Sequence, residues 1–145
     1  MSANQGQGQI SRVIQGFLLE DGQTIEQGEF VCKHKTTGLC RPGASGLKDY
    51  YCVGRAVQSA SAVGRPSGTI TIDVEQGDIC VRWADGQGPS GVNLTSMMYV
   101  TGPLDIATSG AGVHAEAGKL VRVERLNPNV QSWQRPSPMI SIVTL

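Results

Sequence analysis

The side chains best equipped for chemistry in this 145-residue chain are few: Cys32, His34 and Cys40 in one short stretch, and His114 with Glu116 in another. The first three are spaced C-x-H-x5-C, which matches none of the paired zinc-ligand patterns, and a fourth ligand would have to come from distant Cys52, Cys80 or His114. On an extended strand Cys32 and His34 point to one face, so the geometry allows a site. The plainer reading packs Cys32 inward and gives His34 an ordinary hydrogen bond, and no metal or other cofactor is expected. Nucleophilic catalysis needs a thiol or hydroxyl beside a base, with a third group to orient the base. In "GAGVHAEAG" an extended backbone turns His114 and Glu116 the same way, on a glycine-rich loop that reads as a solvated edge. No G-x-S-x-G elbow, phosphate-binding loop or H-x-H pair is present, and "SGAGVHAEAG" lacks the lysine and hydroxyl that complete a phosphate cradle. The expectation is a protein with no catalytic residues, not an enzyme.

The totals point the same way. Lys plus Arg and Asp plus Glu number 12 each, so the chain is formally neutral and lacks the basic stripe of a nucleic-acid binder. Seven aromatic residues, two Trp, three Tyr and two Phe, are too few to make a base-stacking sheet. Charged residues make up only 17% of the chain, and such a lightly charged surface is poorly protected against association. No apolar run reaches the length of a membrane span, and "MSANQGQGQ" has neither the basic head nor the apolar centre of a signal peptide. Synthesis in the cytoplasm is therefore expected, where Cys32, Cys40, Cys52 and Cys80 read as buried thiols rather than bridges.

The elements that must position these residues read as all-β. Residues 1–9 hold three glutamines, two glycines and no apolar side chain beyond Met1 and Ala3, so they are expected to form a flexible N-terminal arm. Residues 10–145 form the domain, a β-sandwich or barrel, jelly-roll-like, of roughly eight to ten strands. "QISRVIQGFLLEDGQTI" is a strand ending at the Asp21-Gly22 turn, and "TIEQGEFVCKHKTTG" is another ending at Gly38. Leu39–Asp49 and Gln58–Gly68 read as loops, and "YYCVGRAV" as a strand with Gly54 at a bulge. "GTITIDVEQGDICVRWADGQG" predicts a hairpin turning at Gln76-Gly77, with Val74 opposite Ile79, Ile72 opposite Val81 and Ile70 opposite Trp83, all apolar on one face. "SMMYVTG", "LDIATSG", "GKLVRVERL" and "MISIVTL" are further strands, whereas Pro128, Pro136 and Pro138 argue against a central strand in the segment they interrupt. "AGVHAEAGKL" is the one weak helical candidate.

What recurs is the texture of an interaction protein. Met97, Met98 and Tyr99 place two flexible apolar side chains beside an aromatic one, a composition shared by contact surfaces and by core filling. Trp133, set among prolines, either staples a loop to the core or anchors a partner. "GEFVCKHKTTG", "VGRAV", the stretch from Gly68 to Asp85 and "MYVTGPLDIATSGAGVHAEAGKLVRVE" follow one another in an order that resembles the capsid decoration (cement) proteins of tailed bacteriophages, over most of residues 25–125. The resemblance implies a β-rich structural protein of the virion that binds the outside of an assembled head. As a homotrimer it would bridge neighbouring copies of the major capsid protein, with neither nucleic acid nor membrane as partner. Such families reach the shell with an N-terminal segment, a role that falls by position on Ser2, Ala3, Asn4, Gln5, Gln7 and Gln9. Two other readings stay open: a small β-barrel metal-dependent hydrolase using His114 with Glu116 or Cys32 with His34, and a carbohydrate-binding module displayed on a particle, using Trp133.

Overall fold

Short apolar segments cut by glycine become strands throughout. In the computed structural model the described residues are 13–83, 94–124 and 137–142. Among them are twelve strands and no helix: β1 (Val13–Leu18), β2 (Thr24–Ile25), β3 (Phe30–His34), β4 (Cys40–Pro42), β5 (Tyr50–Ala56), β6 (Ala60–Ser61), β7 (Thr71–Cys80), β8 (Arg82–Trp83), β9 (Met97–Val100), β10 (Asp105–Ala107), β11 (Ala115–Glu124) and β12 (Ser137–Ile142). The all-β reading holds. The turn at Asp21-Gly22 and the one closing at Gly38 fall where expected, with Gly22 and Gly38 at φ 76 and 74.

Ten strands pair in the order β4-β3-β5-β7-β12-β11-β9-β10-β8, with β1 on β7, while β2 and β6 form a separate pair. A parallel contact between Glu116 of β11 and Tyr51 of β5 makes the pairings run from β5 through β7, β12 and β11 back to β5. The β3–β5 pair carries core on both faces. Phe30, Cys32, Tyr50 and Cys52 join Ile79, Met98, Val100, Ile106 and Leu120 on one side, and Val31, Cys40 and Val53 join Phe17, Leu19, Ile25, Ile72 and Val74 on the other. Burial on both faces is why "FVC" and "YYCV" read as continuous apolar runs instead of alternating.

The predicted hairpin over residues 70–83 is not what forms. β7 runs unbroken through Gln76 and Gly77, pairing with β1 over residues 71–76, with β5 at Val74 and Glu75, and with β12 from Gly77 to Cys80. Val74 consequently lies opposite Gln15 rather than Ile79, and Ile72 opposite Phe17 rather than Val81. Ile72 and Val74 face the second core, whereas Ile79 faces the first, with Val81 just beyond the strand packed against it. The change from even to odd apolar positions marks the passage of one strand from one core to the other, and Gly77, at φ 107, sits at the handover.

β5 forks at the same level. It pairs with β3 along its length, but on its remaining contacts it meets β7 at Arg55 and Ala56 and β11 at Tyr51. Between them the Val53 carbonyl accepts a hydrogen bond from the buried Gln76 amide, Nε2 to O at 2.9 Å. Here the bulge expected at Gly54 is present: the β3–β5 register shifts after Val31, and Gly54 adopts φ 146 against β7.

Four smaller expectations change. The loop over Leu39–Asp49 contains β4, held because Lys33 pairs with Cys40 and Val31 with Pro42, and the loop over Gln58–Gly68 contains β6, paired with β2. The helical candidate is a turn at residues 111–113 leading into β11. Pro138 does enter a central strand, β12, but at its second residue, opposite Val123 and before pairing with β7 begins at Met139, so its missing N–H breaks no β7 bond.

Candidate interaction surface

The face that stands out among the described residues is the outer edge of β1. Leu19 N–H donates to Ile70 O at 2.8 Å, which sets the phase of the antiparallel β1–β7 ladder. Val13, Gln15 and Phe17 therefore bond to β7, and the backbone N–H and C=O groups of Ile14, Gly16 and Leu18 point away from it. β5 occupies the other side of β7, as the bond from Val57 N–H to Asp73 O confirms, so among the described strands none lies along the outer edge of β1. Ile14 is 58% exposed, Val13 54% and Leu18 44%. Edge strands are commonly protected by charge or proline, and "VIQGFL" has neither. The β4 end of the main sheet differs: Leu19 bridges to Cys40, and Glu20 N–H donates to Cys40 O, covering β4.

The predicted contact residues are dispersed. On β9, Met98 is fully buried in the first core and leaves the set of candidate contacts, because alternation that sends Val100 inward sends Met98 inward too. Met97 and Tyr99 occupy the other face, half-buried. Ser2, Ala3, Asn4, Gln5, Gln7, Gln9 and Trp133 lie outside the described residues.

The residues weighed for chemistry do not assemble. Cys32 and Cys40 belong to different cores on opposite faces of β3, so C-x-H-x5-C makes no common site. His34 Nδ1 accepts hydrogen bonds from the backbone N–H groups of Thr36 (3.0 Å) and Thr37 (3.2 Å), and its ring meets Tyr50 edge-on at 4.8 Å. Among the described residues no three His, Cys, Asp or Glu groups are disposed to hold a metal. A hydrogen bond to Cys52 directly across the ladder, together with burial, pushes the Cys32 thiol well up, and burial pushes Cys40 up to about 12. Thiols so placed stay protonated and unreactive at neutral pH. His114 Nδ1 accepts the Gly46 N–H at 2.8 Å, tying the loop after β4 to the turn before β11, while Glu116 is exposed on β11.

One polar constellation escaped the sequence reading. The Glu20 carboxylate accepts from Arg41 Nε at 3.0 Å and from the Tyr50 hydroxyl at 3.0 Å, and the Arg41 guanidinium lies 5.4 Å from the Tyr50 ring centre. Burial, then the bond to Glu20, raises the Tyr50 pKa, so the phenol remains a neutral donor. The three residues clip the chain after β1 to β4 and β5. Arg41 and Tyr50 lie 21 and 30 positions from Glu20, separations at which no local motif signals contact. Comparison with protein-family models, with curated proteins and with solved structures finds no match.

Proposed function

We propose that this chain is a structural interaction protein, a capsid decoration protein that attaches to the outside of an assembled phage head and bridges neighbouring major capsid subunits. The observation that carries the interaction reading is the β1 edge, with apolar Ile14 and Leu18 uncovered and a row of backbone donors and acceptors turned outward. The choice of a phage shell as partner rests on the resemblance over residues 25–125. A strand edge of this kind gains main-chain hydrogen bonds when it meets another extended segment, and repetition over a lattice multiplies contacts that are weak singly. Residues 1–9 precede this edge, three residues upstream of it, and are assigned to reaching the shell. The test is co-sedimentation of the full chain, and of a form lacking residues 1–9, with heads assembled from candidate major capsid proteins. The full chain is expected to pellet with heads while the shortened form, still folded by circular dichroism, stays in solution. Equal retention of both forms would remove residues 1–9 from the contact, and failure of the full chain to bind assembled heads would overturn the proposal.

A further inference from the structure

We infer that the outer edge of β1 pairs with β1 of a second copy of this chain, antiparallel across a two-fold axis at Gly16. The strand's own pattern selects both the occupant and the register. An isologous contact requires a patch complementary to itself, and in an antiparallel pair directly opposed residues lie on the same face. Ile14, Gly16 and Leu18 share the outer face and are also the residues whose backbone groups point away from β7. An axis at Gly16 sets Ile14 opposite Leu18 of the second copy, Gly16 opposite Gly16, and Leu18 opposite Ile14. Each of these pairs exchanges two backbone hydrogen bonds, and each outer pair is apolar. An axis at Gln15 would oppose Ile14 to Gly16 and lose both the third bonded pair and the apolar matches. An axis between Gln15 and Gly16 would oppose residues on different faces.

Nothing charged sits on the strand to resist this pairing. Of the acidic groups on β7 beside the strand, Asp73 leans over Gly16, its Oδ1 3.6 Å from where a Cβ would stand, while its Oδ2 accepts from Gln58 Nε2 at 3.4 Å, and Glu75 pairs with Arg55 at 3.5 Å. Gly16 at the axis presents no side chain. The inference takes up the same β1 edge that carries the interaction reading: the edge closes a dimer, attachment to a shell falls to residues 1–9, and the three-fold association implied by the resemblance becomes a two-fold one.

Sedimentation equilibrium of the full chain is the first measurement, with a mass of twice 15.3 kDa expected at micromolar concentrations. Replacing Ile14→Lys and Leu18→Lys together opposes like charges at both outer pairs and is expected to weaken association about 100-fold, with the fold retained by far-ultraviolet circular dichroism because both side chains are exposed in the single chain, and with a lower melting temperature wherever the parent is dimeric. The register is read by oxidative cross-linking. Ile14→Cys with Leu18→Cys in one chain should give covalent dimers, whereas Ile14→Cys alone should not, because its counterpart then lies four residues along the strand. A monomeric full chain would overturn the inference, including one in which amide-exchange protection at Ile14 and Leu18 reveals the chain's own N-terminal residues on the edge. A trimer, or a dimer indifferent to the lysine pair, would overturn it equally. Failure of head binding with the dimer intact would refute the capsid reading alone.

Discussion

Replacing Gly54→Ala probes the place where β5 leaves β3's regular register and meets β7. A Cβ at this position would lie 2.2 Å from Glu75 O and 2.6 Å from Val74 Cγ1, and φ is 146, a conformation that L side chains rarely adopt. Ordinary contact begins near 3.4 Å, so β5 and β7 would have to part by about 1 Å. Overpacking of this kind costs about 1–3 kcal/mol, and the backbone strain adds about 1–3 kcal/mol. Together they remove about 2–6 kcal/mol from a domain whose whole stability is about 5–15 kcal/mol. Urea unfolding followed by far-ultraviolet circular dichroism measures the loss, with Gly22→Ala as control. Gly22 also has positive φ, at 76, but has nothing within 4 Å of an added Cβ, so it isolates the conformational part. A Gly54→Ala variant no less stable than Gly22→Ala would refute the close approach of β5 and β7, and with it the fork.

Two further outcomes follow from buried groups. The Cys40 thiol, raised from an ordinary 9.0 to about 12, contributes stability that is complete below pH 9 and is lost as pH rises towards 12, because the unfolded chain ionises first. The loss reaches about 3 kcal/mol at pH 11, Tyr50 acts in the same direction above its usual 10.0, and urea midpoints across this range should fall less steeply in Cys40→Ala than in the parent. Gln76→Met keeps the bulk of the side chain but leaves the Val53 carbonyl without its amide donor, an expected cost of about 1–3 kcal/mol by the same unfolding measurement; an unchanged midpoint would mean that this carbonyl needs no partner at the fork.

The most misleading segment was also the most regular. In residues 70–83 the apolar side chains occupy even positions before Gln76-Gly77 and odd positions after, and two arrangements satisfy that pattern equally. A hairpin folds the two halves onto one core; an unbroken strand offers opposite faces to two cores in succession. Local chemistry favours the hairpin because glycine supplies the positive φ of a turn, yet Gly77 adopts φ 107 within a continuing strand. The choice is made by β1, β5 and β12, partners remote in sequence. Gly54 was legible because a glycine inside an otherwise β-branched and aromatic run has few other reasons to be there. The Glu20–Arg41–Tyr50 clip was not, since its members meet only after β1, β4 and β5 are in place.

The same reasoning accounts for what could be read at the candidate surface. Met98 and Tyr99 are adjacent and similar in apolar character, but alternation on β9 commits Met98 to the core and leaves Tyr99 half-buried on the other face, so a compositional cluster splits into one structural and one accessible residue. β1 shows the converse. Its sequence looks like an ordinary core strand, and only the phase of the β1–β7 ladder reveals that Ile14, Gly16 and Leu18 turn both their backbone groups and their side-chain face away from the domain. A strand with two buried faces needs apolar residues throughout, as in β5, and a strand with one buried face normally alternates with polar ones. β1 keeps an apolar pattern with only Phe17 buried. That excess of apolar character over what the monomer buries is the physical signature of a surface meant to be covered.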